Sequence, residues 1–129
     1  MAIRILIVDK HEIVRMSLAL CLSCFDDLIL VGEAEDGASG LALCAQLQPN
    51  LVITEIRLPK VDGVTLTSTI TQTHPQIKVI ALDTTLQDNE IEVILQAGAY
   101  QYISKDVSID VLADAIRAAN GTVCPSARC

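Results

Sequence analysis

The 129-residue chain has no tryptophan and only three aromatic residues, Phe25, Tyr100 and Tyr102, so its core has to be built from aliphatic side chains. Basic residues are also scarce, nine against sixteen acidic ones, which gives a formal net charge of −7. That balance opposes binding of a phosphate backbone, which needs clustered Lys and Arg. Contact with DNA is therefore expected only through a domain outside this chain. No apolar run approaches the ~20 residues of a membrane span. The start, Met1-Ala2-Ile3-Arg4, leads straight into a strand pattern without the layout of a signal peptide. A cytoplasmic location with no membrane partner is expected. The five cysteines are an odd number and fit reduced thiols better than a disulfide framework. Cys21 and Cys24 form a C-x-x-C pair, but near the end of a helix, where the dipole disfavours thiolate. Cys44 reads as a small buried helix residue. Cys124 and Cys129 lie in the tail, and no histidine joins any thiol at metal-ligand spacing.

What is present is a chain with 51% hydrophobic residues, enough for one ordinary domain with its own core. Ile3 to Val8 is nearly all apolar, as expected of a strand covered on both faces. A helix is predicted from Glu12 to Cys24, with Ile13, Val14, Met16, Leu18, Leu20 and Leu22 largely at helical spacing. Further strands are predicted at Leu28–Val31, Leu51–Thr54, Ile77–Leu82 and Ala99–Ile103. Helices are predicted from Asp36 to Leu47, Val64 to Thr73, Asp88 to Ala97 and Ile109 to Ala119. Their ends are marked by Pro49, His74-Pro75, Gly98 and Asn120-Gly121. The third helix is threonine-rich and intrinsically weak. Five strands alternating with five helices imply parallel strands with right-handed crossovers, a doubly wound three-layer α/β sheet. Residues 1–121 form this domain, and 122–129 are a tail or the start of a linker.

Ligands of such sheets bind at the carboxyl ends of the strands. The residues there are Asp9 and Lys10, Glu55, Asp83 to Thr85, and Ser104 to Lys105. Together with Ile5-Leu-Ile-Val-Asp9-Lys10-His11-Glu12-Ile-Val-Arg15, Leu51 to Gly63 and Ala97 to Asp106, they make the chain resemble the receiver domain of bacterial response regulators. Lys105-Asp106 is similar to the subfamily that precedes LuxR-type helix-turn-helix domains. The resemblance implies the strand order 2-1-3-4-5. It also implies a chemistry: two acids after the first strand and one after the third hold Mg²⁺, and the third-strand aspartate becomes an acyl phosphate. A lysine after the fifth strand then pairs with the phosphate. A Ser or Thr after the fourth strand hydrogen-bonds it, and an aromatic on the fifth strand follows.

By position, Asp9 matches the first acid, Lys105 the phosphate-pairing lysine and Tyr102 the aromatic switch. Three positions depart from the pattern. Lys10 stands where the second metal acid belongs, Glu55 where the phosphoacceptor aspartate belongs, and Asp83 where the switch hydroxyl belongs, with Thr84 and Thr85 adjacent. Lys10 removes an oxygen ligand and adds positive charge, whereas Mg²⁺ demands tight octahedral oxygen geometry. Glu55 displaces the carboxylate by about one bond, and misplacing a reacting atom by ~1 Å can cost about 10²-fold in rate. An aspartate at 83 repels phosphate. The expectation is a non-enzymatic, phosphorylation-independent regulatory module of a transcriptional regulator, with no catalytic residue, metal or cofactor. Its degenerate site is Asp9, Lys10, Glu55, Asp83 and Lys105. Lys10 and Lys105 are expected to flank Glu55 and Asp83 closely enough to neutralise the pocket without metal. Glu55 is either a structural partner of Lys105 or an imitation of the acyl phosphate. His11 and His74 read as incidental, and Arg57 as offering its backbone carbonyl. A protein partner or a second copy is expected on the face of helix four, strand five and helix five, with Tyr102 and Arg117, or on the face of helices one and five. Two alternatives remain: slow phosphoryl transfer to Glu55 or Asp83, and a thiol sensor in the tail.

Overall fold

Strand β1 (Ile3–Val8) runs through the centre of the molecule, and its side chains are divided between two cores. Ile3, Ile5 and Ile7 pack with Leu112, Ala113 and Ile116 of α5 (Ile109–Ala119). Leu6 and Val8 point the other way, towards Leu66 and Ile70 of α3 (Gly63–Thr73) and Cys44 of α2 (Gly37–Leu47). A continuous apolar strand is what this double burial requires. The computed structural model describes residues 2–84 and 86–121. Its other elements are α1 (Glu12–Leu22), β2 (Leu28–Ala34), β3 (Leu51–Thr54), β4 (Lys78–Asp83), α4 (Asp88–Gln96) and β5 (Gln101–Ser104). All strand pairs are parallel, and the sheet order is β2-β1-β3-β4-β5, as expected. The order reverses between β1 and β3, where ligands of such sheets bind. Val8 pairs with Thr54, Thr54 with Ala81, and Asp83 with Ser104, so Asp9, Glu55, Asp83 and Lys105 emerge at one edge.

Local chemistry sets the helix starts. The carboxylates of Asp36 and Asp62 accept from the backbone N–H groups of Ser39 (2.7 Å) and Thr65 (2.8 Å). At α4 the Glu90 carboxylate accepts from the backbone N–H of Gln87 at 3.1 Å. In the threonine-rich α3, Thr71 and Thr73 donate to the carbonyls of Thr67 (2.8 Å) and Thr69 (2.7 Å), so these hydroxyls find acceptors within their own helix. Gly63 is dictated by the site, since a β-carbon there would run into the carbonyl oxygen of Glu55.

Several details differ from expectation: α1 ends at Leu22 rather than Cys24, and β4 spans Lys78–Asp83 rather than Ile77–Leu82. β2 continues past Val31 to Ala34, because pairing with β1 carries it through Gly32 and Glu33 after a register shift at Ile5/Leu6. β5 starts at Gln101 rather than Ala99. On α1 the apolar residues are not all core: Leu22 is buried, whereas Ile13, Met16 and Leu20 are 74%, 59% and 73% exposed. These three lie at i, i+3 and i+7, a single stripe on the outer face.

Candidate functional site

Asp9, directly after β1, is buried and divides its oxygens between two neighbours. Oδ1 accepts from the backbone N–H of His11 at 2.8 Å and lies 3.2 Å from His11 Nδ1. Oδ2 is 2.9 Å from the ammonium of Lys105. Glu55, directly after β3, is equally buried. Its Oε1 accepts from the backbone N–H of Lys10 at 2.7 Å, and its Oε2 is 3.2 Å from Lys105 and 3.8 Å from His11 Nδ1. Lys105 thus bridges two buried acids. Burial alone would lower its pKa, but Asp9 and Glu55 outweigh that and hold it above the ordinary 10.5.

Asp83 ends β4 and is buried. Oδ2 accepts from the backbone N–H of Ile56 at 2.9 Å, and Oδ1 from that of Thr84 at 2.8 Å. It therefore ties the end of β4 to the loop that follows Glu55. Burial opposes its ionisation, yet these two donors, with Lys105 and Arg57 nearby, hold its pKa below the ordinary 3.8. The stability it contributes is present above the unfolded value near 3.8 and is lost as pH falls through the lower folded value. Asp83→Asn keeps the shape but loses the charge-assisted bonds, each worth about 1.5–3 kcal/mol. We expect a loss of roughly 2 kcal/mol at neutral pH that shrinks below pH ~3.8, measurable as urea midpoints along a pH series.

Of the two lysines expected to flank these acids, one does so by direct contact. Only Lys105 reaches Glu55, and Asp83 is held by backbone donors. The Lys10 ammonium turns outward and donates to the backbone carbonyl of Arg57 at 2.5 Å. Among the described residues, no carboxylate lies within 4.0 Å of it. The loop carbonyl that Arg57 was expected to offer is thus already occupied by a cation. The Arg57 guanidinium instead reaches across to Glu90 of α4 at 2.6 Å. The residues therefore do not fit octahedral Mg²⁺: one acid is replaced by a lysine, and that lysine sits on the carbonyl.

Among the switch positions, the Tyr102 hydroxyl donates to the backbone carbonyl of Thr84 at 2.5 Å, while its ring packs against the core beneath α4. The Thr84 hydroxyl lies 3.4 Å from Asp83 Oδ1. Thr85 lies outside the described residues, as do Cys124, Cys129 and the expected linker. Cys44 is buried and its thiol is pushed up to about 11, which makes it inert at neutral pH. Sequence reasoning passed over His11, which the turn after β1 brings against both acids. The only signal for it was its position two residues after Asp9.

Arg117 is more enclosed than a free surface residue. Its side chain is 12% exposed and forks onto Asp27 at 2.8 and 2.9 Å. It also lies 3.4 Å from Asp114 and 5.2 Å from the centroid of the Phe25 ring. It clasps α5 to the turn before β2. Arg117→Glu is therefore expected to cost about 1–2 kcal/mol in a denaturant melt, through the bidentate pair and the ring contact. Tyr102→Ala is the cleaner probe of the face around β5.

The family model for the response regulator receiver domain matches residues 5–117, so the chain belongs to that family. It is 36% identical over 118 residues to the transcriptional regulatory protein LiaR of Bacillus subtilis (strain 168), covering 92% of this chain and 56% of that protein. It is 38% identical over 117 residues to the response regulator protein VraR of Staphylococcus aureus (strain NCTC 8325 / PS 47), covering 91% and 56%. The chain thus spans little more than half the length of these relatives. Among solved structures, the signal receiver domain of an HD domain-containing protein from Pseudomonas fluorescens Pf-5 matches with a TM-score of 0.85 at 31% identity, covering 93% and 88%. No helix among the described residues is long and apolar enough to cross a membrane.

Proposed function

We propose that this receiver domain is a phosphorylation-independent regulatory and protein-interaction module of a transcriptional regulator. The observation that carries this reading is the Lys10 ammonium on the Arg57 carbonyl, next to a Glu55 whose two oxygens are both engaged. A receiver that takes phosphate needs a divalent cation and a free carboxylate oxygen at this edge. Here a side-chain cation is built in, and the carboxylate is tied to Lys105 and to the Lys10 backbone. Asp83 is equally committed, to the N–H groups of Ile56 and Thr84. The site then serves as a fixed brace that holds Tyr102 against the Thr84 carbonyl, and one surface dominates. A fixed competent state avoids the loss of apparent affinity that arises when that state is rare.

LiaR is named a transcriptional regulatory protein, and the chain matches 56% of its length. By that likeness the domain passes its signal to a DNA-binding domain outside this chain. It performs no catalysis itself. Of the two expected contact faces, the exposed stripe of Ile13, Met16 and Leu20 favours the α1–α5 side. The test is intact mass after incubation with a small phosphodonor and Mg²⁺. No phosphoryl adduct is expected, and an adduct on Glu55 or Asp83 overturns the reading in favour of slow transfer.

A further inference from the structure

We propose that Lys10, Arg57 and Glu90 form a latch that fixes the position of α4 from the edge of the sheet. Arg57 lies between β3 and α3 and is held at both of its ends. Its carbonyl accepts from the Lys10 ammonium at 2.5 Å, and its guanidinium reaches the Glu90 carboxylate of α4 at 2.6 Å. The backbone beside it is pinned as well. The N–H of Ile56 donates to Asp83 Oδ2 at 2.9 Å, and that of Gly63 to the Ile56 carbonyl at 2.7 Å. The guanidinium therefore projects from a fixed base. On the other side, Glu90 uses a different oxygen for each task. Oε1 accepts from the Gln87 N–H at 3.1 Å at the start of α4, and Oε2 takes Arg57. A pull on Arg57 is thus a pull on the first turn of the helix.

α4 is a helix on which such a latch can act. It has nine residues, and a helix that short is marginal without tertiary support. It buries Ile94 completely and Ile91 in part, whereas α5 buries five residues and α3 four. Val93 and Leu95 stay 48% and 42% exposed. An element with few buried contacts opens locally at low cost, so a polar tie is a large share of what holds it. The competing explanation is a plain surface ion pair, since the Arg57 and Glu90 side chains are 57% and 28% exposed, and such pairs contribute little. It predicts no role for Lys10 at α4. The latch does predict one, although Lys10 has no hydrogen bond or ion pair to α4 among the described residues. The link to function rests on the reading above, in which one fixed surface dominates: the latch holds Val93 and Leu95 in that surface.

The experiment is native-state hydrogen exchange of the full 129-residue chain, read amide by amide by NMR, for wild type, Arg57→Gln, Glu90→Gln, the two combined, and Lys10→Met. Gln at position 90 keeps an acceptor for the Gln87 N–H and loses the charge that grips Arg57. The amides of β1 and β3 report global stability. Arg57→Gln is expected to speed exchange at residues 92–96 of α4 by about 2–5-fold and to leave β1 and β3 unchanged. Glu90→Gln should do the same, and the combined variant no more than either alone. Lys10→Met should speed the same amides by about 2-fold. About 1 M salt should bring wild type towards Arg57→Gln, because an exposed pair is screened. The proposal is overturned by α4 exchange that Arg57→Gln leaves unchanged, by equal acceleration in β1 and β3, by additive effects of Arg57→Gln and Glu90→Gln, or by a Lys10→Met variant that exchanges as wild type. Any of these removes the latch and leaves the functional reading intact, whereas a phosphoryl adduct on the chain would overturn that reading and leave the latch standing.

Discussion

The triple variant Lys10→Asp, Glu55→Asp, Asp83→Thr is expected to take a phosphoryl group from a small donor in the presence of Mg²⁺, while the wild-type chain takes none. Each change removes one identified obstacle. Lys10→Asp withdraws the ammonium from the Arg57 carbonyl and restores an acidic ligand. Glu55→Asp retracts the carboxylate from its contacts with Lys105 and the Lys10 backbone. Asp83→Thr removes a negative charge from the path of the phosphate and supplies a hydroxyl. Lys105 and the sheet edge remain in place to pair with the product. Glu55→Asp alone should do little, because the cation position stays filled. The variant gives up the bond from the Ile56 N–H to Asp83, which costs about 1–3 kcal/mol, so its folding is checked by circular dichroism first. Intact mass with and without Mg²⁺ reads the outcome. A folded triple variant that stays unmodified with every donor tried would mean that the phosphorylation machinery does not lie where the resemblance puts it.

The parts of this molecule that follow from a residue's immediate neighbours along the chain could be read in advance. The alternation of apolar strands and helices determines the layers. Once the order β2-β1-β3-β4-β5 is set, Asp9, Glu55, Asp83 and Lys105 have to share an edge, because each directly follows or ends a strand. What could not be read is where a long side chain turns once it is there. Lys10 has four methylenes between its backbone and its charge, and the Arg57 carbonyl, 47 residues away, decides its direction. His11 looked incidental for a related reason: its proximity to Glu55 depends on the β1–β3 register and not on spacing in the sequence. Arg117 shows the same limit from the other side. Its place in the last turn of α5 resembles a surface position, yet Asp27, 90 residues distant, captures it. On α1 the periodicity was legible, but which stripe faces the core was not, because the helix is apolar on more than one side. The outward stripe of Ile13, Met16 and Leu20 becomes visible only once α1 is laid on the sheet.

Lys105→Met is expected to be the most damaging single substitution at this edge. It leaves Asp9 and Glu55 buried side by side without their shared cation. Removing one partner of a buried ion pair costs roughly 3–5 kcal/mol, because the remaining charge keeps its desolvation penalty. Lys105 retains some exposure, which points to the lower end, about 3 kcal/mol, read as a shift in urea midpoint at neutral pH. The effect should be strongly coupled to Glu55. In the Lys105→Met background, Glu55→Gln removes one of the two repelling charges and recovers part of the loss. In the wild-type background the same Gln weakens a good pair. A double-mutant cycle should therefore return a coupling of about 1–3 kcal/mol. The pH dependence follows from the raised pKa of Lys105. Its contribution is fully present below the ordinary 10.5 and is lost only as pH rises through the higher folded value. The gap between wild type and Lys105→Met should therefore stay level through neutral and mildly alkaline solution and close only above pH ~10.5. A gap under about 1 kcal/mol at neutral pH, or one that closes well below that range, would mean that Lys105 is a solvated neighbour of the acids and that the brace holding this surface lies elsewhere.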